Sequence, residues 1–78
     1  MLAWDGDTLV VIEVRARRAG SMVDPLSSVT PAKQRRLRRA LGRCMADRAA
    51  RDGRIDVAAV VDGRLAAYVR NAVDFTET

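Results

Sequence analysis

The chain has no histidine, a single cysteine, and one residue each of tryptophan, tyrosine and phenylalanine. Without imidazole or a cysteine pair there is no ligand set of the zinc type. Cys44 has no partner for an internal bridge, which fits a reducing compartment, and the cytoplasm is the predicted location. Long apolar runs are missing as well. None approaches the ~18 residues of a membrane span, and the N-terminus lacks a basic stretch followed by an apolar core. No membrane partner is therefore expected. Trp4 has no second aromatic near it and reads as a core residue, not as a platform for stacking bases. Repeats and low-complexity segments are also absent.

What is present is a small globular composition. The 49% hydrophobic content is too high for a disordered chain, and 78 residues make at most one domain. The expected organisation is one domain over residues 1–78, with residues 71–78 as a polar tail anchored by Phe75. The formal net charge is +4, and its placement is uneven. Residues 1–14 carry Asp5, Asp7 and Glu13 and no base. Residues 15–39 carry Arg15, Arg17, Arg18, Lys33, Arg35, Arg36, Arg38 and Arg39 against Asp24 alone. From residue 40 onward the signs balance. A local surplus of this kind suits a polyanion.

Thr8–Arg18 is the stretch around which the rest is organised. Its unbroken Leu9–Ile12 run reads as a strand covered on both faces. Side chains two apart on a strand share a face, so Glu13 and Arg15 point the same way as Leu9 and Val11. Taken by themselves they read as an ion pair. Met1–Trp4 followed by Asp5-Gly6-Asp7 reads as the end of a strand and a hairpin turn. Ala19 to Val29 has loop composition. Thr30-Pro31 is a helix start, Thr as N-cap and Pro at the first helical position. The helix is predicted from Pro31 to about Arg51, with Leu37, Ala40, Leu41, Cys44 and Met45 as its apolar stripe and Gly53 after its end. Arg54–Val61 and Leu65–Arg70 read as strands joined by Asp62-Gly63, a type I′ pair. Asp56 is expected to pair with Arg54 or Arg70. The predicted fold is α/β: a small mixed sheet in the order β-β-α-β-β, with one long helix crossing between two parallel strands.

Asp5-Gly6-Asp7-Thr8-Leu9-Val10, Ile12-Glu13-Val14-Arg15, Val29 to Arg39 and Ile55-Asp56-Val57 together resemble the YraN family of small bacterial proteins. The resemblance runs from Leu2 to about Phe75, and the helix-entry segment is its most specific part. It implies a restriction-endonuclease-like core of the PD-(D/E)xK superfamily, and with it a metal-dependent phosphodiesterase site. On that basis Glu13 corresponds to an acidic ligand of Mg²⁺ or Mn²⁺, and the Val14 carbonyl to a further ligand. Arg15 stands where the family usually has Lys, and Lys33 at a position suited to phosphate. The family's first acid would fall just before Met1, so the expectation is an N-terminally truncated member.

Three functional readings follow from this. The first is a nucleic-acid-binding, nuclease-like protein with an incomplete catalytic site, using Arg15, Arg17, Arg18, Lys33, Arg36 and Arg39 on phosphates. The second is an active Mg²⁺- or Mn²⁺-dependent endonuclease using Glu13 and Arg15. Arg15 could stabilise charge there but could not act as a base. The third is a non-catalytic structural fragment that pairs with a second copy through an exposed apolar edge of the Glu13 strand.

Overall fold

A computed structural model describes residues 1–20 and 29–74. The predicted loop over 21–28 and the Phe75 anchor lie outside the described residues. The elements are β1 (Leu2–Asp5), β2 (Thr8–Arg17), α1 (Pro31–Asp47), β3 (Asp52–Val61) and β4 (Arg64–Val73). The sheet order is β1-β2-β3-β4. β2 and β3 are parallel, from Thr8 beside Asp52 to Arg17 beside Val61. β1 and β4 add antiparallel to the outside. This is the predicted β-β-α-β-β mixed sheet, and none of the described helices is long and apolar enough to cross a membrane.

Alternation along the strands sorts the residues into two faces. Leu9 and Val11 of β2, Ile55 and Val57 of β3 and Val73 of β4 form the core with Leu37 and Leu41 of α1 and with Val29. Cys44 and Met45 pack against it. Ala40 is exposed, so it drops out of the predicted stripe. It sits at the stripe's margin, about 100° round the helix from Leu41. The two hairpin turns follow their residues. Asp62 (φ 48°) and Gly63 (φ 80°) are both left-handed, the type I′ requirement, and Gly6 alone is left-handed in the first turn.

The helix ends a turn earlier than predicted, at Asp47 with Arg48 as C-cap. Ala49 adopts φ 51° at the position after the cap. The Ala50 N–H donates to the Met45 carbonyl at 2.9 Å and the Ala49 N–H to the Ala46 carbonyl at 3.4 Å. These are the two bonds of a Schellman closure, here with alanine where glycine is usual. Gly53 has another role, as the second residue of β3. A Cβ built there would lie 2.5 Å from the Met45 Sδ and 3.0 Å from Leu41 Cδ1. Its missing side chain lets the second half of α1 settle onto the start of β3.

β4 also runs past its predicted end to Val73, which is buried, so the polar tail begins later than residue 71. On the other side of the sheet β1 covers β2 from Thr8 to Val11. Ile12, just beyond, exchanges both backbone hydrogen bonds with Met1. The apolar run is thus the half of β2 that β1 covers, and the charged half, Glu13 to Arg17, lies beyond the end of β1.

Two substitutions separate these roles of small residues. Ala49→Gly is expected to stabilise the chain by about 1 kcal/mol, by relieving a left-handed alanine. Gly53→Ala is expected to destabilise it by about 1–2 kcal/mol through overpacking against Met45 and Leu41. Chemical denaturation of both variants checks the pair; equal signs would refute the assignment.

Candidate nucleic-acid interface

The geometry of the site begins with the direction of α1. Its second half lies over Gly53 at the start of β3. Seventeen helical residues span about 25 Å, roughly the length of the strands. The first turn of α1 therefore lies toward the end where β2 and β3 finish. Arg15, Arg17 and Arg18 are at that end of β2.

Glu13 and Arg15 follow Leu9 and Val11 on the face of the sheet that carries α1. Arg15 Nη1 donates to Glu13 Oε1 at 3.5 Å, with side chains 17% and 28% exposed respectively. Arg17 Nη1 donates to the Ala16 carbonyl at 3.0 Å. Arg18 is exposed. The strand end is tied to the β3–β4 turn by Asp62, whose N–H donates to the Arg17 carbonyl and whose Oδ1 accepts from the Ala19 N–H.

The entry to α1 is as its sequence suggests. Thr30 Oγ1 accepts from the Lys33 N–H at 3.3 Å, and Pro31 sits in the first turn. Gln34 donates through its backbone N–H to the Thr30 carbonyl and through Nε2 to the Val29 carbonyl. Lys33 is half-buried beside this cap, and Arg35, Arg36, Arg39 and Arg43 are exposed on the side away from the core. Arg36, Arg39 and Arg43 share one strip at i, i+3 and i+7. Among the described residues no acid forms an ion pair with Lys33 or with any arginine of α1. No acidic residue occupies the first turn, so the field of the helix N-terminus adds to that of Lys33.

A divalent metal finds only a partial set here. Ile12 exchanges both backbone hydrogen bonds with Met1. By alternation Val14 points its carbonyl at the same edge, which β1 leaves open. Glu13 and that carbonyl are thus two oxygen donors on adjacent residues. Glu13, however, is held by the Arg15 guanidinium, and no group of three or more acidic, cysteine or histidine side chains gathers among the described residues. Mg²⁺ and Mn²⁺ need more hard oxygen than this, so the residues present do not by themselves fit a bound metal.

On the face of the sheet away from α1 lies a polar cluster that the sequence only hinted at. Asp56 is fully buried. Its carboxylate accepts from Arg54 Nε at 3.0 and 3.2 Å, from the Tyr68 hydroxyl at 2.5 Å and from the Asn71 N–H at 2.9 Å. Of the two partners anticipated for Asp56, Arg54 is the one that binds it; Arg70 donates instead to Asp5 at 3.0 Å, which Arg54 also reaches at 2.8 Å. The i, i+2 spacing of Arg54 and Asp56 was the available signal. Tyr68 and Asp5 gave none, because their roles depend on neighbouring strands. Burial pushes the Asp56 carboxyl up, but the hydrogen bonds from Arg54, Tyr68 and Asn71 and the Arg54 charge outweigh it and hold it below the usual carboxylate range. The same contact with the Asp56 carboxylate pushes the Tyr68 hydroxyl upward.

Trp4 differs most from its sequence reading. It is 53% exposed, because α1 covers β2 and β3 and stops short of β1. It lines a cleft of about 460 Å³ with Gly6, Asp7, Ala49, Ala50 and Arg51.

A carboxyl depressed in the folded chain stabilises it above the unfolded value of ~3.9 and loses that contribution as pH falls through the lower folded value. Unfolding stability is therefore expected to decline as pH falls below about 4, and less steeply in Asp56→Ala. That variant leaves Arg54, the Tyr68 hydroxyl and the Asn71 N–H without their acceptor and is expected to cost about 3–5 kcal/mol at neutral pH. Denaturation across a pH series reads both effects.

The family described as Uncharacterised protein family UPF0102 matches residues 1–60. A UPF0102 protein of Marinobacter nauticus is 37% identical over 79 aligned residues, covering 94% of this chain and 64% of that protein. One from Beutenbergia cavernae is 44% identical over 69 residues, covering 86% and 58%. One from Streptomyces coelicolor is 54% identical over 39 residues, covering 50% and 30%. The chain thus spans less than two thirds of the length of these relatives. No solved structure matches it.

Proposed function

From the premise that the chain belongs to UPF0102, the YraN family, we propose that it is a nuclease-like, nucleic-acid-binding protein of the cytoplasm. It holds the phosphate backbone at the end of the sheet where β2 finishes and α1 begins. The observation that carries this reading is the set of bases on α1 with no acid paired to them among the described residues: Lys33, Arg35, Arg36, Arg38, Arg39 and Arg43. Arg17 and Arg18, with Arg15 held beside Glu13, carry positive charge on along the strand end. Folding gains nothing from concentrating like charge on one helix, so the surplus is better explained by a polyanion than by stability. Nucleic acid is preferred among polyanions because of the resemblance to the PD-(D/E)xK nucleases.

Binding without cleavage is the activity this reading assigns to the 78 residues themselves. Met1 stands opposite Ile12. In a longer chain a residue before Met1 would stand opposite Glu13 and share its face. An acid there would join Glu13 and the Val14 carbonyl as a ligand of Mg²⁺ or Mn²⁺. That arrangement is the one the resemblance implies for the longer relatives.

If about five phosphates are contacted, affinity for an oligonucleotide is expected to fall roughly 10²–10³-fold between 50 and 200 mM salt. The double variant Arg36→Ala/Arg39→Ala is expected to reduce the salt slope by about two. Fluorescence anisotropy over a salt series measures both, and salt-independent binding, or none at low salt, would overturn the reading.

With Mn²⁺ added, the chain is expected to release no cleavage products, and Glu13→Ala is expected to bind within a few-fold of the parent. Metal-dependent cleavage that Glu13→Ala abolishes would establish the endonuclease reading with Glu13 and Arg15 instead.

A further inference from the structure

The Trp4 cleft lies at the opposite end of β2 from the arginines. Trp4 pairs with Leu9, and Arg15 lies six residue steps further along the strand, about 20 Å. On the α1 side of the sheet, then, an uncovered indole stands at one end and a surplus of positive charge at the other.

We infer that this cleft takes one unpaired nucleobase, stacked on the Trp4 indole, from a single strand whose phosphates are held at the Arg15–Lys33 end. The inference deepens the nucleic-acid reading and rests on it. Four observations support it. The indole is 53% exposed, although burying an aromatic of that size would have been favourable. The cleft volume of about 460 Å³ admits a planar base with room for its sugar. Three of the lining residues are small, Gly6, Ala49 and Ala50, which leaves room for a flat ring.

The fourth observation is charge. Asp7 and Arg51 both line the cleft. A carboxylate repels a phosphate but accepts from the amino groups of a base, and a guanidinium beside it can hold the phosphate of the same nucleotide. Mixed charge around an aromatic thus fits a base, where a purely basic wall would fit backbone alone. Stacked nucleotides advance about 3.4 Å each, so the strand would need about six to join the two ends. A paired base presents only its edge, so a perfect duplex cannot fill the cleft without opening.

Trp4 is the chain's only tryptophan, and its fluorescence therefore reports on this cleft alone. The experiment titrates the unaltered chain with a single strand, the same strand made abasic throughout, and a blunt perfect duplex, while anisotropy of a dye on the nucleic acid records binding. Saturable quenching by the single strand, with little from the abasic strand or the duplex, is the expected result. Trp4→Ala is expected to lose affinity for the single strand between about five- and a hundredfold and to bind the abasic strand as the parent does. Trp4→Phe is expected to recover part of the loss.

Salt-sensitive binding with unchanged tryptophan emission would overturn this inference and leave the phosphate reading standing. Absence of binding to all three would overturn both. Emission that changes with protein concentration and not with nucleic acid would also overturn it, by assigning the cleft to a second copy of the chain.

Discussion

A carboxylate buried in one of the two central strands must have its hydrogen bonds made within the protein, and Asp56 is that carboxylate. Its four hydrogen bonds come from its own strand and from β4, and Arg54 carries the connection on to Asp5 at the end of β1. Three of the four strands are thereby held in one arrangement. The irregularity of β4 belongs to the same arrangement: the pairing shifts between Ile55 and Val57, and Asn71, left-handed at φ 53°, aims its N–H at the carboxylate. A bulge of this kind re-aims a group that a regular ladder would have used elsewhere. The cost of burying the charge is offset only while every partner is present.

The other face is governed by apolar packing and a single helix. One helix covers the middle of a four-stranded sheet and leaves its margins open. That limit explains three features together. Trp4 on β1 stays exposed, the charged half of β2 extends beyond the end of β1, and the bases on the outer side of α1 face solvent. The residues with chemical potential lie along these margins. The apolar half of β2 is the half that its neighbours enclose.

Charge follows the same division. The acids near the chain's start are drawn into pairs, Asp5 with Arg54 and Arg70, and Glu13 with Arg15. Among the described residues the bases of α1 are not, and their surplus therefore persists as a field at the surface. Membership of UPF0102 places this pattern in a family whose proteins from Marinobacter nauticus and Beutenbergia cavernae are longer than this chain.

Much of the fold was legible because it is written locally. The unbroken apolar run Leu9–Ile12 marked β2 and the apolar stretch after Arg54 marked β3, Thr30-Pro31 marked the start of α1, and Asp62-Gly63 marked the last hairpin. The charge surplus was legible for the same reason, since it needs only counting. Other features depended on contacts between distant residues. Gly53 looked like a helix stop, but the helix closes at Ala49 because Gly53 is needed where Leu41 and Met45 descend. Trp4 looked like core, but whether an aromatic is buried depends on what lies above it, and α1 stops short of β1. The sequence by itself determined the elements, their order and the sign of the surface. The tertiary structure alone decided which acids are neutralised and which aromatic is left open, because both depend on residues that are remote along the chain and adjacent only across the sheet.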